Sequence, residues 1–479
     1  MQTLIQVLSD EEQTGVHECT LKILAETGVR VNTEKGRRFL KQAGANVDEV
    51  TNIVRFPRKL VEDSIKLAPK QFTLGARRPD WDLSLNAGQC ILLADGSGTS
   101  VIDRKTGMIR QATFNDWFEA TKVIDALDEI GVYWAMVDAD EGDETLPSTV
   151  NYWQQIFRNF SKHVQDSSPK PEFSPWLLEV LQAIFGDKES IREQHPFSFL
   201  LCPQSPLIID AEHTDAYLAM LGWDIPVAVM PMPLMGGTGP GNMISMTILG
   251  NCEVIAMLCL IQAADPGTPF IYAPALAVMN PRTGMYSAGA VENALLSCAA
   301  IEMARYYGFP IEGTGGGTDT IMPGIQASYE RALSVILPIL SWPDILVGPG
   351  LLGGSMVMSL EQLVIDAEVF RMSRQLHRGI ISGENKWLDE VINRIGPGGN
   401  FLGEKSTVEG IRTGEWLQQK IGFHESTNDL DVSTIKDIRE EAREIVENLL
   451  VNHKPLPLDE DVERELEKIS KHSKVNNQA

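Results

Sequence analysis

The sequence predicts an α/β fold: an eight-stranded parallel β/α barrel with an α-rich N-terminal extension and C-terminal helices. Three observations predict it. From Thr113 onward, short apolar segments alternate with longer helix-like ones, and seven such repeats are clear before His377. Apart from Glu312 in 311–313, the apolar segments are free of charge, as expected of strands buried on both faces of a parallel sheet. Nearly every one ends in glycine, proline or a small polar residue. Examples are Met230-Pro-Met-Pro-Leu-Met-Gly-Gly-Thr-Gly-Pro-Gly241, Glu312-Gly-Thr-Gly-Gly-Gly-Thr-Asp319 and Val347-Gly-Pro-Gly-Leu-Leu-Gly-Gly354. Periodic βα units over this length favour a closed barrel over an open doubly wound sheet. No early strand leads into Gly-x-Gly-x-x-Gly with an acidic residue about 20 positions on, so dinucleotide binding is weakly supported. Gly237-Thr-Gly-Pro-Gly241 lacks the Lys-Ser/Thr of a phosphate loop.

Residues 1–112 read as an α-rich N-terminal segment ending in a hairpin. Helices are expected at 10–27, stopped by Gly28, and at 33–43, stopped by Gly44. The hairpin pattern comprises 91–95 and then 99–104, turning at Lys105-Thr-Gly107 into 108–112. Residues 113–382 form the barrel core, a TIM barrel in outline. Its helix–strand pairs are 114–127 with 131–137, 149–160 with 163–165, 176–185 with 197–202, and 212–221 with 226–230. They continue as 244–264 with 270–273, 291–307 with 311–313, and 325–340 with 345–347, before a last helix at 360–377. The eighth strand is open between 91–94 and 379–381. Residues 383–479 are a C-terminal helical extension, with a turn-rich linker at 395–402 and charged helices at 433–452 and 459–471.

A chain of 479 residues, 43% of them hydrophobic, suffices for a barrel-sized core. With 41 basic and 65 acidic residues, its net charge of −24 repels phosphate backbones and anionic lipid. Nucleic acid and membrane are therefore not expected partners. The longest apolar stretch, 254–264, is shorter than the ~20 residues of a membrane span and is bracketed by Glu253 and Asp265. The N-terminus soon reaches Asp10-Glu11-Glu12, unlike a signal peptide, so the cytoplasm is the expected compartment. Six cysteines without a Cys-x-x-Cys pair suggest free thiols in a reducing compartment.

Barrel enzymes react at the C-terminal ends of their strands. Here those ends carry Asp138 and Asp140, Gln165 and Asp166, Gln204, Met232 and Gly236, Tyr272 and Asn280, Glu312 and Asp319, and Gly348 and Leu352. No histidine follows these strands and no nucleophile stands beside a base. No bound metal is predicted. Glu312 could face the barrel mouth or form an ion pair. Asp319 could face a bound cation or simply order its turn. Tyr272 offers a π face to a cation, or packs in the core. Arg282 could bind an anion or tie down its loop. A smooth, glycine-rich mouth suits a large flat cofactor brought in from outside.

The segments Asn280-Pro-Arg-Thr-Gly284, Ala304-Arg-Tyr-Tyr-Gly-Phe-Pro310, Gly315-Gly-Gly-Thr-Asp319, Gln326-Ala-Ser-Tyr-Glu330, Ser359-Leu-Glu-Gln-Leu-Val-Ile-Asp366 and Gly396-Pro-Gly-Gly-Asn-Phe-Leu402 are informative together. Through them the chain resembles the trimethylamine:corrinoid methyltransferase family, in its branch without pyrrolysine. The resemblance implies a barrel that demethylates a methylated amine and passes the methyl group to cobalamin on a separate corrinoid protein. Family members using trimethylamine carry pyrrolysine, whereas non-pyrrolysine relatives act on quaternary amines such as glycine betaine, carnitine and proline betaine. This chain shows only the standard residues. A quaternary ammonium already carries the charge that lets it leave as a neutral amine, so the protein needs neither acid nor base. It must desolvate the cation, aim one methyl group and exclude water.

The expectation is a homo-oligomeric, corrinoid-dependent methyltransferase acting on a quaternary amine, with glycine betaine or a related betaine foremost. Tyr272, Glu312 and Asp319 would hold the cation, and Gln165 and Gln204 would orient a carboxylate tail. Gly236, Gly237, Gly315, Gly316, Gly317, Gly348, Gly350 and Gly353 would give the corrinoid ring room, with Arg282 ordering the loop or docking the cofactor. Asn400 stands where the family commonly has histidine, Glu404-Lys-Ser-Thr407 replaces a histidine–threonine pair, and Leu352-Gly-Gly354 replaces Leu-Glu-Gly. These changes bear on the substrate. The alternatives are a metal-dependent barrel lyase or hydrolase, and a non-catalytic protein that binds betaines or a corrinoid protein.

Overall fold

Eight parallel strands form the centre of the computed structural model, which describes residues 4–94, 96–138, 145–424 and 435–476. In chain order they are β1 (Ile91–Leu93), β2 (Ile130–Tyr133), β3 (His163–Asp166), β4 (Phe197–Leu201), β5 (Val227–Val229), β6 (Phe270–Tyr272), β7 (Glu312–Thr314) and β8 (Ile345–Val347). Ladders run from β1 to β6, and from β7 through β8 back to β1. A parallel bridge between Tyr272 and Ile311 closes the ring, with the Tyr272 N–H donating to the Pro310 carbonyl at 2.9 Å. The eighth strand is therefore 91–93, and 379–381 is exposed coil. Residues 91–94 of the expected hairpin are not part of it, position 95 lies outside the described residues, and the hairpin is Ser100–Ile102 paired with Ile109–Gln111. The barrel thus takes its first strand from within residues 1–112.

The flanking helices lie where the 3.6-residue apolar period places them, with ends shifted by up to three residues (Phe114–Ala126, Leu146–Asn159, Ser174–Phe185, Glu212–Leu218, Val291–Tyr307, Ile325–Ser341, Leu360–Arg378). Helix Met243–Ala264 is longer than its apolar stretch suggested. Its 22 residues are long and apolar enough to cross a membrane by length and composition, yet 83% of its most apolar window is buried inside the protein. Helices Asp10–Glu26, Glu34–Gln42 and Arg58–Leu67 cover it. Glu253 sits mid-helix because its carboxylate accepts from Ser205 Oγ and the Leu207 N–H, each at 2.8 Å.

The N-terminal segment also seals the barrel floor. The two-stranded ribbon Thr73–Leu74 with Leu83–Ser84 sends Leu74, Leu83 and Leu85 against Leu93, Val132, Leu200, Ala228, Ile271 and Ile345. His163 belongs to this floor. Its ring bonds the Gly75 carbonyl and Ser198 Oγ, each at 2.9 Å, and burial pulls it down to about 4, so it is neutral. Ribbon and His163 leave the opposite, C-terminal mouth as the way in.

The C-terminal helices Ile438–Asn452 and Glu460–Asn476 pack on the outer barrel helices. The first starts at 438, where Asp437 caps it by accepting from the Arg439 N–H. Positions 433 and 434 of the expected helix lie outside the described residues. Arg158 to Glu463 at 2.8 Å and His453 to Asp125 at 2.7 Å fasten the pair to the barrel.

Candidate active site

Above the floor, Gln165 of β3 and Glu312 of β7 meet across the barrel. They stand four strands apart in the ring, and Gln165 Nε2 donates to Glu312 Oε2 at 2.8 Å. Both side chains are buried, yet Gln165 Oε1 and Glu312 Oε1 have no hydrogen-bond partner. Burial pushes the Glu312 carboxyl up to about 7, with the Gln165 bond acting the other way. Cys202, just past β4, is raised to about 12 by burial and by the nearby Glu312 and Asp210, so its thiol stays protonated. Trp134, Met230, Ala273 and Val347 belong to the same barrel-interior cluster. A buried carboxyl and amide therefore each leave one acceptor oxygen free inside the barrel.

A second feature adjoins it. A cleft of about 550 Å³ lies over the ends of β2 and β3, lined among others by Phe114, Trp117, Trp134, Tyr152, Asp166 and His213. Phe114 stacks on Trp117 at 5.0 Å between ring centroids, and Trp117 meets Tyr152 at 5.7 Å. Trp117 Nε1 donates to Tyr133 Oη at 2.9 Å, which fixes the indole. Asp166 ends β3 and points away from the side taken by Gln165, as strand alternation requires. Its Oδ1 accepts from the Ser167 N–H at 2.8 Å, and its buried Oδ2 has no partner. Burial pushes Asp166 up to about 7. Trp134 lines the cleft and also packs against the barrel interior, so it stands between the two features.

The remaining expected site residues lie elsewhere. Tyr272 is on the outward face of β6, where its hydroxyl donates to Asn251 Oδ1 at 2.8 Å and its ring packs near Tyr307; it is core. Strand alternation, which puts Ile271 and Ala273 inside, turns Tyr272 outside. Asp319 is exposed and orders a loop, accepting from Ser287 Oγ at 2.8 Å and the Gly289 N–H at 3.2 Å. Gln204 is exposed and pairs with Ile208 through its backbone. Arg282 is exposed, and its N–H bonds Asn280 Oδ1 at 2.9 Å within the turn. Asp138 lines the cleft, while Asp140 lies outside the described residues.

The glycines are required by the protein's own packing. A Cβ on Gly348 would fall 1.6 Å from the Gly315 carbonyl oxygen, and one on Gly315 would fall 2.5 Å from that of Ser334. On Gly317 it would meet the Ala288 carbonyl at 2.6 Å, on Gly350 the Met136 methyl at 2.4 Å, and on Gly353 the Ile321 side chain at 2.8 Å. Gly316 adopts a left-handed φ of 69° with its Cβ position 3.2 Å from the Gly348 carbonyl. These six let the loops after β7 and β8 lie against neighbouring chain, so the space they leave is filled from within. Gly236 and Gly237 differ, being exposed at the tip of the loop after β5.

The sequence reading missed Asp166, Trp134 and Tyr152 as a group. The available signal was the density of aromatic residues, with Phe114, Trp117, Trp134, Tyr152 and Trp153 flanking two strand ends.

Comparison with known proteins places the chain in a family. Residues 2–476 match the family described as trimethylamine methyltransferase (MTTB). The chain is 29% identical over 461 residues to trimethylamine methyltransferase MttB of Desulfitobacterium hafniense (strain DSM 10664 / DCB-2), covering 96% of this chain and 92% of the relative. It is 28% identical over 471 residues to MttB of Methanosarcina barkeri (strain Fusaro / DSM 804), covering 97% and 94%. It is likewise 28% identical over 465 residues to glycine betaine methyltransferase of Desulfitobacterium hafniense (strain Y51), covering 96% and 95%. Among solved structures it is similar to the Methanosarcina barkeri monomethylamine methyltransferase MtmB, with a TM-score of 0.46, 11% identity, and 98% and 93% of the two chains covered. The family match runs over nearly the whole length: the chain belongs to the trimethylamine methyltransferase family.

Proposed function

We propose that the protein transfers a methyl group from a quaternary amine to the corrinoid of a separate protein. The observation that carries this reading is a group of unpartnered, buried acceptor oxygens: Gln165 Oε1 and Glu312 Oε1 inside the barrel, and Asp166 Oδ2 in the adjoining cleft. Buried acceptors left unpaired cost free energy unless a ligand completes them. They suit a cation, and the adjoining indole and phenol faces suit one that has methyl groups in place of N–H donors. The reduced corrinoid supplies the two-electron nucleophile that accepts the methyl group, while the C–N electron pair stays on nitrogen. This chain's part is to strip water from the cation, hold it against Glu312 or Asp166 and the Trp134 face, and point one methyl group out of the mouth. No proton has to move, which accords with a protonated Cys202 and a neutral His163.

The rim fits docking by another protein. Met232, Met243 and Ile244 follow β5, Met285 and Tyr286 follow β6, Ile321 and Met322 follow β7, and Met356 follows β8; all are exposed. Methionine-rich apolar rims adapt to a partner surface. The loops touch, since the Gly354 N–H bonds the Thr318 carbonyl at 3.0 Å and the Gly353 N–H that of Thr320 at 2.8 Å. The corrinoid remains with its own protein, and the rim residues meet that protein. Self-association belongs to the same reading. The outer side of helix Ile325–Ser341 presents Tyr329, Leu333, Ile336 and Leu337, while its two charged residues, Glu330 and Arg331, are buried. Two copies of charge −24 meet with least repulsion on such an uncharged face.

A metal-dependent reaction would need convergent ligands, and among the described residues no three or more His, Cys, Asp or Glu converge. The test mixes purified protein with chemically reduced cobalamin and, separately, glycine betaine, proline betaine, carnitine, choline and trimethylamine. A change in the cobalamin absorption spectrum with a quaternary amine supports the reading. A response to trimethylamine alone, or ligand binding without any spectral change, overturns it.

A further inference from the structure

We propose that the methyl donor is a quaternary ammonium without a carboxylate, of the choline or tetramethylammonium kind, seated in the cleft over β2 and β3. The proposal rests on the methyl-transfer reading and narrows its substrate. Walls and charge in the cleft are matched to a bare cation. Phe114, Trp134 and Tyr152 supply aromatic faces, with Trp117 buried behind Phe114, and cations settle within about 6 Å of such rings. Asp166 is buried with Oδ2 unpaired, so one carboxylate oxygen is left for the nitrogen's positive charge. Asp138 adds a second carboxylate to the lining.

What a betaine would need is missing from these walls. In glycine betaine or proline betaine the carboxylate carbon sits two bonds from the nitrogen and must enter the same cleft. Among the described residues, none that lines it is lysine or arginine. Its one basic ring, His213, lies 3.5 Å from Asp210, which already uses it. The barrel interior repeats the pattern, because Glu312 and Gln165 offer free acceptors and the surrounding cluster is apolar. Gln204, expected to orient a carboxylate, is exposed instead. A zwitterion would thus set like charge against the unpaired Asp166 oxygen, with no lysine or arginine among the described lining residues to offset it.

Isothermal calorimetry on the full chain, with no corrinoid present, measures tetramethylammonium, choline and glycine betaine separately. Expected is binding of the first two, with glycine betaine at least about tenfold weaker, and quenching of tryptophan fluorescence on binding. The variant D166N loses at least about tenfold in affinity for tetramethylammonium; W134L, in which Asp166 is intact, also loses affinity. Glycine betaine binding as tightly as choline, no binding of either cation, or D166N and W134L both binding like the parent protein would each overturn the proposal. Failure of the parent reading looks different: the cations bind, but reduced cobalamin shows no spectral change with any of them. Spectral change with glycine betaine alone leaves that reading standing and sinks this one.

Discussion

Asp166 and Glu312 are carboxyls whose affinity for protons has been raised to about 7 by burial. In the unfolded chain each titrates near ~4. Between about 4 and 7 the folded protein therefore holds more protons than the unfolded one, and stability falls as pH rises through that window. E312Q removes this penalty, so its melting temperature should exceed the parent's at pH 8 and equal it at pH 4. Ligand affinity runs the other way. A cation pairs with the ionised form, so binding of tetramethylammonium should strengthen as pH rises through 7, and calorimetry should register proton release at pH 6 that largely vanishes at pH 8. A pH-independent affinity would exclude these carboxyls as the cation's partners. Trp134 is held by an equally local constraint. A Cβ on Gly96 would fall 1.6 Å from its Cδ1, so G96A must displace the indole. Methyl transfer should drop by up to about a hundredfold through misplacement alone, with a shifted near-ultraviolet dichroism band and little change in melting temperature.

At the scale of elements, the loops after β7 and β8 are fixed from the helices behind them. Arg331, on helix Ile325–Ser341, pairs with Asp366 at 2.5 Å and donates to the Leu351 carbonyl. Asp366 also accepts from the Gly350 N–H and Gln362 Nε2, each at 2.8 Å. Glu330 accepts from the Asp319 N–H at 3.0 Å and from Thr318 Oγ1 at 2.5 Å. R331M strands a buried carboxylate and should cost about 3–5 kcal/mol in chemical denaturation. An unchanged midpoint would show that the loops stand without it. These contacts explain what was legible in the sequence. Strand and helix positions are written in apolar period and in runs almost free of charge, Glu312 and Asp166 being the exceptions, so seven repeats could be read directly. Barrel closure was not, because β1 is only Ile91–Leu93 and its pairing depends on residues more than 250 positions away. The side of the strand that each polar residue faces follows from alternation, and that parity distinguishes Gln165 from Asp166 and puts Tyr272 outside. Glycine-rich loops read alike whether the space they leave is for a ligand or for a neighbouring carbonyl; only the folded loops separate Gly348, packed on Gly315, from Gly236 at the exposed tip. The aromatic cleft was hidden because its walls come from a helix, a strand end and a second helix, none of which is a motif alone.

For the molecule as a whole, two apolar surfaces predict separable behaviour. Helix Ile325–Ser341 faces outward without charge, so L333E should shift the sedimentation mass toward the 52.9 kDa monomer and leave single-turnover chemistry intact. The methionine rim predicts something else. Met285 is 69% exposed and Met322 43%, on loops that pack together at the mouth, and neither lies among the residues of the cation cleft. A charge placed there should disturb contact with an acceptor protein and nothing deeper. With M285E and M322E, methyl transfer to free reduced cobalamin should match the parent, because a small acceptor needs no docking surface. Transfer to a protein-bound corrinoid should show a KM raised about tenfold or more, as expected when a charge is buried at an apolar contact. The effect should vary little with salt, since the rim residues named here carry no charge of their own, whereas steering by the −24 surface would be screened. Equal loss with both acceptors would place these methionines in the substrate path, and no loss with either would move the docking surface elsewhere.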